Sequence, residues 1–250
     1  MGIAFVTKLT IYGPAVVIAG TAIILRWRTE NHSFRWLLKQ VAWAAGLALA
    51  IGSMWWIRNI SIYGWPDFLG QIAHEQVVIG QLRTTSLIAD TGFPAYLWQF
   101  IATTYRSFWG QFGWMSVPMP RRVYLIIGLF IAFDLAGLII LWIRSKKIPK
   151  LNPIARAGCI ALLLGFLTTA VQYIYYNTTF VQFQGRYLFP ALIPVGLIVI
   201  AGLWGWKLLL ESRLKHKYWQ KLLPWLPLLA VSWFPLLSIY ALFSFIIPNL

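Results

Sequence analysis

Long apolar stretches alternate with short polar connections along the whole chain. Six stretches have the roughly 20 residues that a helix needs to cross the hydrocarbon core of a bilayer. They occupy residues 3–25, 36–57, 123–143, 154–176, 187–210 and 223–247. None shows the sustained alternation of a membrane β-barrel strand, and lipid cannot satisfy free backbone groups. The pattern therefore predicts an all-α integral membrane protein in which residues 1–250 form a single membrane domain.

The composition agrees with this prediction and excludes several classes of protein. Hydrophobic residues make up 60% of the chain and charged residues only 11%, against roughly 25% charged in ordinary globular domains. These proportions exclude a soluble enzyme, a disordered tail and a coiled coil. The single cysteine, Cys159, excludes an internal disulfide, and the three histidines show no metal-ligand spacing. We therefore predict no metal site and identify no cofactor.

The positive charge is concentrated in three connections between spans. The net charge is +15, and most of the 21 lysines and arginines lie in residues 26–39, 144–156 and 207–221. The positive-inside rule places these connections in the cytoplasm. The charge therefore indicates the topology of a multi-pass plasma (cytoplasmic) membrane protein rather than nucleic-acid binding, and lipids are expected partners. Both chain termini, residues 58–122 and residues 177–186 are then predicted to be external.

The external segment at residues 58–122 is too long for a plain connection. Helical spacing predicts two helices in it, at residues 67–83 and 94–109, with Asp67 as the cap of the first. The second has the pattern of a helix lying in the membrane interface. Residues 107–120 are rich in aromatic residues, glycine and proline, which predicts a structured loop. That loop is either an interfacial anchor or the wall of a cavity for a lipid or glycan.

Several polar residues lie within the spans. Asp134 is near the middle of the third span, where an acid costs about 2.5–3.5 kcal/mol on insertion scales. We expect a neutral, hydrogen-bonded acid that ties helices together, in preference to a role in proton transfer. Thr168, Thr169 and Gln172 on the fourth span are expected to hydrogen-bond to other helices. After that span, Asn177-Thr178-Thr179 matches a glycosylation sequon.

Two arginines adjoin spans on the predicted external side. Arg58 ends the second span and Arg186 precedes the fifth. Each either extends its guanidinium to the lipid head groups or binds a phosphate, which suits the fixed fork of guanidinium donors. We take Arg58 and Arg186 as candidate lipid-phosphate-binding residues that emerge together at one external cavity.

Short motifs around these residues carry a family resemblance. They are Thr7-Lys8-Leu9-Thr10, Trp56-Ile57-Arg58-Asn59 followed by Tyr63-Gly64, Phe108-Trp109-Gly110-Gln111-Phe112-Gly113-Trp114-Met115, and Gly185-Arg186-Tyr187-Leu188-Phe189-Pro190. In this order they resemble the C-terminal half of GT-C-type membrane glycosyltransferases. The chain is most similar to the bacterial predicted membrane proteins grouped as domain of unknown function 2142. The resemblance implies a polyprenyl-phosphate-linked sugar donor, a carboxylate that assists the acceptor hydroxyl, and chemistry on the external side.

The resemblance also implies that the N-terminal half of the fold is missing from this chain. In that superfamily the key acid lies in the first external loop, and no residue here matches it. The external acids Asp67, Glu75 and Asp90 match no motif. An external N-terminus that enters the membrane without a basic flank also leads us to expect preceding helices, in this chain or in a partner. Arg58 and Arg186 carry over as phosphate or lipid contacts.

Two functions follow from the sequence. The first is a membrane glycosyltransferase-like protein, as a fragment or half-enzyme, that uses a polyprenyl-phosphate-linked sugar. The second is a non-catalytic structural or accessory subunit whose 15 Trp, 11 Tyr and 16 Phe pack against lipids or other membrane protein subunits. A transporter is disfavoured because the sequence shows no internal repeat and no matched pair of broken spans.

Overall fold

Six membrane-spanning helical segments account for most of the described chain. The computed structural model describes residues 1–78, 80–113, 115–144, 151–214 and 216–249. The spans run over Leu9–Thr29, Phe34–Tyr63, Arg121–Ile143, Pro153–Thr179, Gly185–Arg213 and Lys217–Asn249. The prediction of an all-α, multi-pass integral membrane protein is confirmed. Residues 145–150 of the predicted connection at 144–156 lie outside the described residues, as does Lys215 of the connection at 207–221.

The chain divides into two compact units. The first unit comprises Met1–Gln99, Leu151–Phe183 and Tyr187–Ala191. It contains α1 (Gly2–Thr7), α2 (Tyr12–Thr29), α3 (Phe34–Tyr63), α4 (Gln71–Val77), α5 (Thr84–Thr91), the beginning of α6 (Phe93–Gly110) and α8 (Pro153–Thr179). Within this unit, α1 packs on α3 and α2 packs on α8.

The first apolar stretch is not one helix. The prediction of a continuous helix over residues 3–25 is wrong, because α1 ends at Thr7 and Lys8 has an extended backbone (φ −159°, ψ 136°). The Thr7 hydroxyl donates to the Ala4 carbonyl at 2.8 Å, and the Lys8 backbone N–H donates to the same carbonyl at 3.4 Å, so a side chain adds to the backbone donor at the helix end. A 3₁₀ turn at Leu9–Ile11 then leads into α2.

Between the second and third spans, the described residues form three helices where the sequence predicts two. The predicted helix at 67–83 is wrong in extent, because α4 covers only Gln71–Val77; Ile79 of that prediction lies outside the described residues. Glycines with positive φ stand on either side of α4, at Gly70 (73°) and Gly80 (95°). The prediction of a helix at 94–109 is confirmed by α6, and α5 was not predicted.

The second unit comprises the described parts of Phe100–Lys150, Gln184–Arg186 and Leu192–Leu250. It contains the remainder of α6, strands β1 (Gln111–Phe112) and β2 (Val117–Pro118), and helices α7 (Arg121–Ile143), α9 (Leu192–Arg213), α10 (Lys217–Leu222), α11 (Leu226–Val231) and α12 (Trp233–Ala241). A 3₁₀ segment at Gly185–Ala191, with Pro190 inside it, precedes α9, and its residues Tyr187–Ala191 belong to the first unit. The sixth span is interrupted by prolines and finishes in a π-helical and a 3₁₀ turn.

The aromatic loop predicted at 107–120 begins later than expected, because its first four residues end α6, and the remainder contains a short antiparallel hairpin. Gln111 pairs with Pro118 and Phe112 with Val117; Trp114 between them lies outside the described residues. The Tyr124 hydroxyl donates to the Gly110 carbonyl at 2.8 Å and accepts from the Met119 N–H at 3.0 Å. One buried phenol on α7 therefore fixes both ends of the hairpin.

Helices α7 and α9 approach each other through glycines. A Cβ added at Gly137 or at Gly205 would overlap a backbone carbonyl of the facing helix. Small residues allow such close approach in membranes, where packing drives helix association. The Trp206 indole N–H donates to the Phe133 carbonyl at 2.8 Å, and Arg144 Nη1 donates to the Leu208 carbonyl at 3.0 Å. Direct hydrogen bonds thus reinforce the packing.

Candidate functional site

The first unit contains a cavity of about 520 Å³ next to the break between α1 and α2. Its described lining comes from the beginning of the first span, from the turn into α4, from α8, and from the 3₁₀ segment that precedes α9. The lining residues are Lys8, Leu9, Thr10, Leu69, Gly70, Gln71, His74, Thr169, Gln172, Tyr173, Tyr175, Tyr176 and Tyr187. The volume lies in the range of small-molecule sites, and the lining is mostly apolar and aromatic with a few polar groups.

Lys8 provides the positive charge of the cavity. Its ammonium lies 4.8 Å from the centre of the Tyr187 ring, within the range of a cation–π contact. Within the described ranges, no carboxylate lies within ion-pair distance of Lys8. The extended backbone at Lys8 takes this residue out of the helix, so its side chain projects from the junction between α1 and α2. The ammonium is therefore available to an anionic ligand.

Tyrosines form one wall of the cavity. The Tyr187 ring lies 6.5 Å from that of Tyr173 and 6.2 Å from that of Tyr176, measured between centroids. Tyr173 is buried, whereas Tyr175 is 75% exposed. Such side chains combine flat apolar faces with a hydroxyl at the rim, which suits a ligand that is partly apolar and partly hydroxylated.

Two polar side chains on α8 contribute to the cavity in different ways. Thr169 donates to the Gly165 carbonyl of its own helix at 2.9 Å, as Thr168 does to Leu164 at 2.7 Å. The expectation that these threonines bond to other helices is therefore wrong, because each hydroxyl finds a carbonyl one turn back. The Gln172 carbonyl oxygen is buried and has no hydrogen-bond partner in the described part of the chain.

The turn into α4 is anchored by Asp67 and Asn59. The Asp67 carboxylate accepts from the backbone N–H of Ile72 at 3.1 Å and of Ala73 at 2.8 Å, which confirms the predicted cap. Burial favours a raised pKa for Asp67, but the backbone donors, led by Ala73, outweigh it and lower the pKa below its ordinary value. Buried Asn59 donates to the Phe68 carbonyl at 3.0 Å. The turn that leads into α4 is thus tied to α3 through Asn59, and Asp67 fixes the first turn of α4.

The two candidate arginines belong to different units. Arg58, on α3, donates to Asn59 Oδ1 at 3.2 Å and lies 4.7 Å from the centre of the Trp55 ring. It is not among the described residues that line the cavity. Arg186 belongs to the second unit, where the preceding Gly185 N–H donates to Ser107 Oγ at 2.7 Å. A shared phosphate site for Arg58 and Arg186 stays a prediction.

Asp134 is buried between α7 and α9. It is 4% exposed, and a Cβ on Gly202 would overlap its carboxyl group. Its Oδ1 atom has no hydrogen-bond partner within the described ranges. Asp134 therefore lies at a helix–helix contact of the second unit, and its role in tying helices together stays a prediction. Its protonation state stays a prediction.

The cavity was not found from the sequence, and two of its signals were present there. Thr7, Lys8 and Thr10 place three polar residues inside an apolar stretch, and Gln172 places an amide inside another. The tyrosines gave no signal, because aromatic residues are common near both membrane surfaces. Among the described residues, no group of three or more His, Cys, Asp or Glu side chains has the geometry of a metal site.

Comparison with known proteins found no matching family model, curated protein or solved structure. The fold and the site define a class, an all-α multi-pass membrane protein with a tyrosine-lined cavity next to the break between α1 and α2.

Proposed function

We propose that this protein binds a polyprenyl-phosphate-linked sugar in the tyrosine-lined cavity and acts as a membrane glycosyltransferase-like protein at the external face of the plasma membrane. The observation that carries the proposal is the position of Lys8. Its ammonium lies against the Tyr187 ring at the break between α1 and α2, inside a largely apolar cavity. One cation in an apolar lining matches an amphiphile with an anionic head.

The lining supports each part of such a ligand. Lys8 offers up to three donors to a phosphate. The aromatic faces of Tyr173, Tyr176 and Tyr187 suit the apolar face of a pyranose ring, and Thr10 and Gln71 add polar groups. The cavity adjoins the beginning of α2, so a polyprenyl tail can continue into the bilayer beside the first span.

Sugar transfer from this ligand would be a substitution at the anomeric carbon. An acceptor oxygen attacks the anomeric carbon, the bond from that carbon to the phosphate oxygen breaks, and the lipid phosphate leaves with the bonding electrons. A cation near the phosphate stabilises this departure, which is the role proposed for Lys8. The acceptor proton needs a base within hydrogen-bond reach. The described lining contains no carboxylate, and its imidazole, on His74, is the side chain proposed to accept this proton.

A binding measurement tests the proposal. Purified protein in lipid nanodiscs is titrated with undecaprenyl phosphate and with its hexosyl forms. Loss of a charged hydrogen bond costs about 1.5–3 kcal/mol, so Lys8→Met should weaken binding of every phosphate-bearing form by roughly 10- to 100-fold. Lys39→Met removes an exposed lysine from the beginning of α3 and should leave binding unchanged. Equal affinities for both variants and the wild type would remove Lys8 from the site.

A non-catalytic subunit of a larger membrane complex is the second candidate function. It is favoured by the absence of a carboxylate from the described cavity lining. In that case the cavity holds a lipid and the transfer chemistry belongs to a partner chain. Co-purification with other membrane chains at fixed stoichiometry, without sugar transfer by the isolated protein, would favour this function. Transfer by the isolated protein would exclude it.

A further inference from the structure

We infer that the Gln172 side chain recognises the sugar by accepting a hydrogen bond from a hydroxyl of the bound hexose. The cavity then selects the glycosylated lipid over bare polyprenyl phosphate. This inference rests on the proposed function and assigns a specificity-determining residue within the same site. It begins from one atom, the Gln172 carbonyl oxygen, which is buried and has no hydrogen-bond partner in the described part of the chain.

An unpartnered amide oxygen is costly where water cannot reach it. Buried polar groups in folded proteins nearly always have a partner, and an exception calls for an explanation. Gln172 is also a lining residue of the cavity, so a ligand in the cavity can supply the missing donor once the amide oxygen turns towards it. A hydroxyl supplies it, whereas an ionised phosphate and a hydrocarbon tail cannot. The inferred donor is therefore on the sugar.

The neighbouring helix leaves room for this glutamine. A Cβ added at Gly13 would lie 3.0 Å from Gln172 Nε2, so the amide packs against α2 at a position where only a glycine leaves the space free. The last torsion of a glutamine side chain has a broad energy profile. The amide can therefore turn its oxygen towards the cavity without a movement of α8.

The lining separates charge recognition from hydroxyl recognition. Lys8 lies on the Tyr187 ring, and Gln172 lies on α8 next to Tyr173 and one turn from Thr169, whose hydroxyl already donates to Gly165. Thr169 is thus committed to its own helix, whereas the Gln172 oxygen is not. This division predicts that Lys8 determines the affinity for the phosphate and Gln172 the preference for the sugar.

The experiment compares two affinities in each variant. Undecaprenyl phosphate and a mixture of its hexosyl forms are titrated into nanodiscs that contain the full chain. The wild type should bind the glycosylated lipid roughly tenfold more tightly than the bare lipid. Gln172→Leu should reduce this preference to about onefold, with bare-lipid affinity unchanged. Gln172→Glu keeps an acceptor and should keep the preference, and the exposed Gln76→Leu serves as the matched control.

The outcomes separate this inference from the proposed function. If Gln172→Leu weakens both lipids equally, or changes neither, the inference is wrong. If the wild type shows no preference but Lys8→Met still weakens both lipids, the proposed phosphate site stands and the role of Gln172 falls. If the wild type binds neither lipid, the proposed function falls as well. The melting temperature of Gln172→Leu without ligand checks folding, and it should not decrease because an unsatisfied polar group is removed.

Discussion

Gly202→Ala is the sharpest test of the packing between α7 and α9. A Cβ at residue 202 would lie closer than 3.0 Å to three atoms of Asp134, namely Oδ1, Cγ and the backbone oxygen. Two of the three belong to the side chain, which is itself 4% exposed and has little space to move into. The added methyl therefore has to displace either the carboxyl group or the facing helix.

The expected loss follows from two opposing terms. Overpacking a well-packed contact costs about 1–3 kcal/mol, whereas replacing a helical glycine with alanine returns about 0.5–1 kcal/mol. Gly196→Ala on the same helix isolates the second term, because a Cβ there meets no atom within 4 Å. The free energies of unfolding of the two variants should therefore differ by the overpacking term alone, about 1–3 kcal/mol.

A double-mutant cycle identifies which atoms cause the loss. Asp134→Ala removes Oδ1 and Cγ but leaves the backbone oxygen, so it should relieve most, not all, of the cost of Gly202→Ala. The expected coupling is about 0.5–3 kcal/mol, as for residues in direct contact. Unfolding of each purified variant in detergent is followed by circular dichroism. If Gly202→Ala and Gly196→Ala have the same free energy of unfolding, or if Asp134→Ala does not restore the stability lost in Gly202→Ala, the proposed contact between Asp134 and Gly202 is wrong.

Two further predictions concern the first unit. The Asp67 carboxylate, whose pKa is lowered in the folded protein, stabilises the fold above the unfolded carboxyl pKa of about 3.9. This contribution is lost as the pH falls through the lower pKa of the folded state. The difference in melting temperature between the wild type and Asp67→Ala should therefore stay constant near neutral pH and become smaller below about pH 4. Asn177 is 1% exposed and its Nδ2 donates to the Tyr173 carbonyl at 2.9 Å, so the folded protein should stay unmodified at this sequon when incubated with an oligosaccharyltransferase; a mass increase at Asn177 would contradict this.

The spans could be predicted from sequence because the bilayer imposes one dominant rule. Twenty apolar residues in a row have few alternatives to a helix. Five of the six predicted stretches lie within a described span, and the first overlaps one from Leu9 onwards. The cap at Asp67 and the helix α6 were also predictable, since each depends on residues close together in sequence. Such local patterns do not depend on which helix packs against which.

The errors arose where tertiary contacts override a local pattern. The break at Lys8 is stabilised by contacts from further along the chain. The Tyr12 hydroxyl donates to the Phe5 carbonyl at 2.5 Å, and the Trp56 indole N–H donates to the Tyr12 oxygen at 3.3 Å. Helix α5 was missed because its first turn is held from α8, where the Asn177 carbonyl accepts from Thr84 at 2.8 Å. Neither of these long-range contacts can be inferred from hydropathy alone.

The break at Lys8 also explains why the cavity is where it is. In a continuous first helix, the residues that follow Lys8 would stay in register with α1, and the lysine would lie along the helix surface. The extended backbone instead separates α1 from α2 and leaves the Lys8 side chain at the junction. Functional sites are the places where local rules are expected to fail. Lys8, where the prediction of a continuous helix is wrong, is thus the residue that supplies the cation. Restoring a continuous helix there should remove the ligand site and leave the six spans intact.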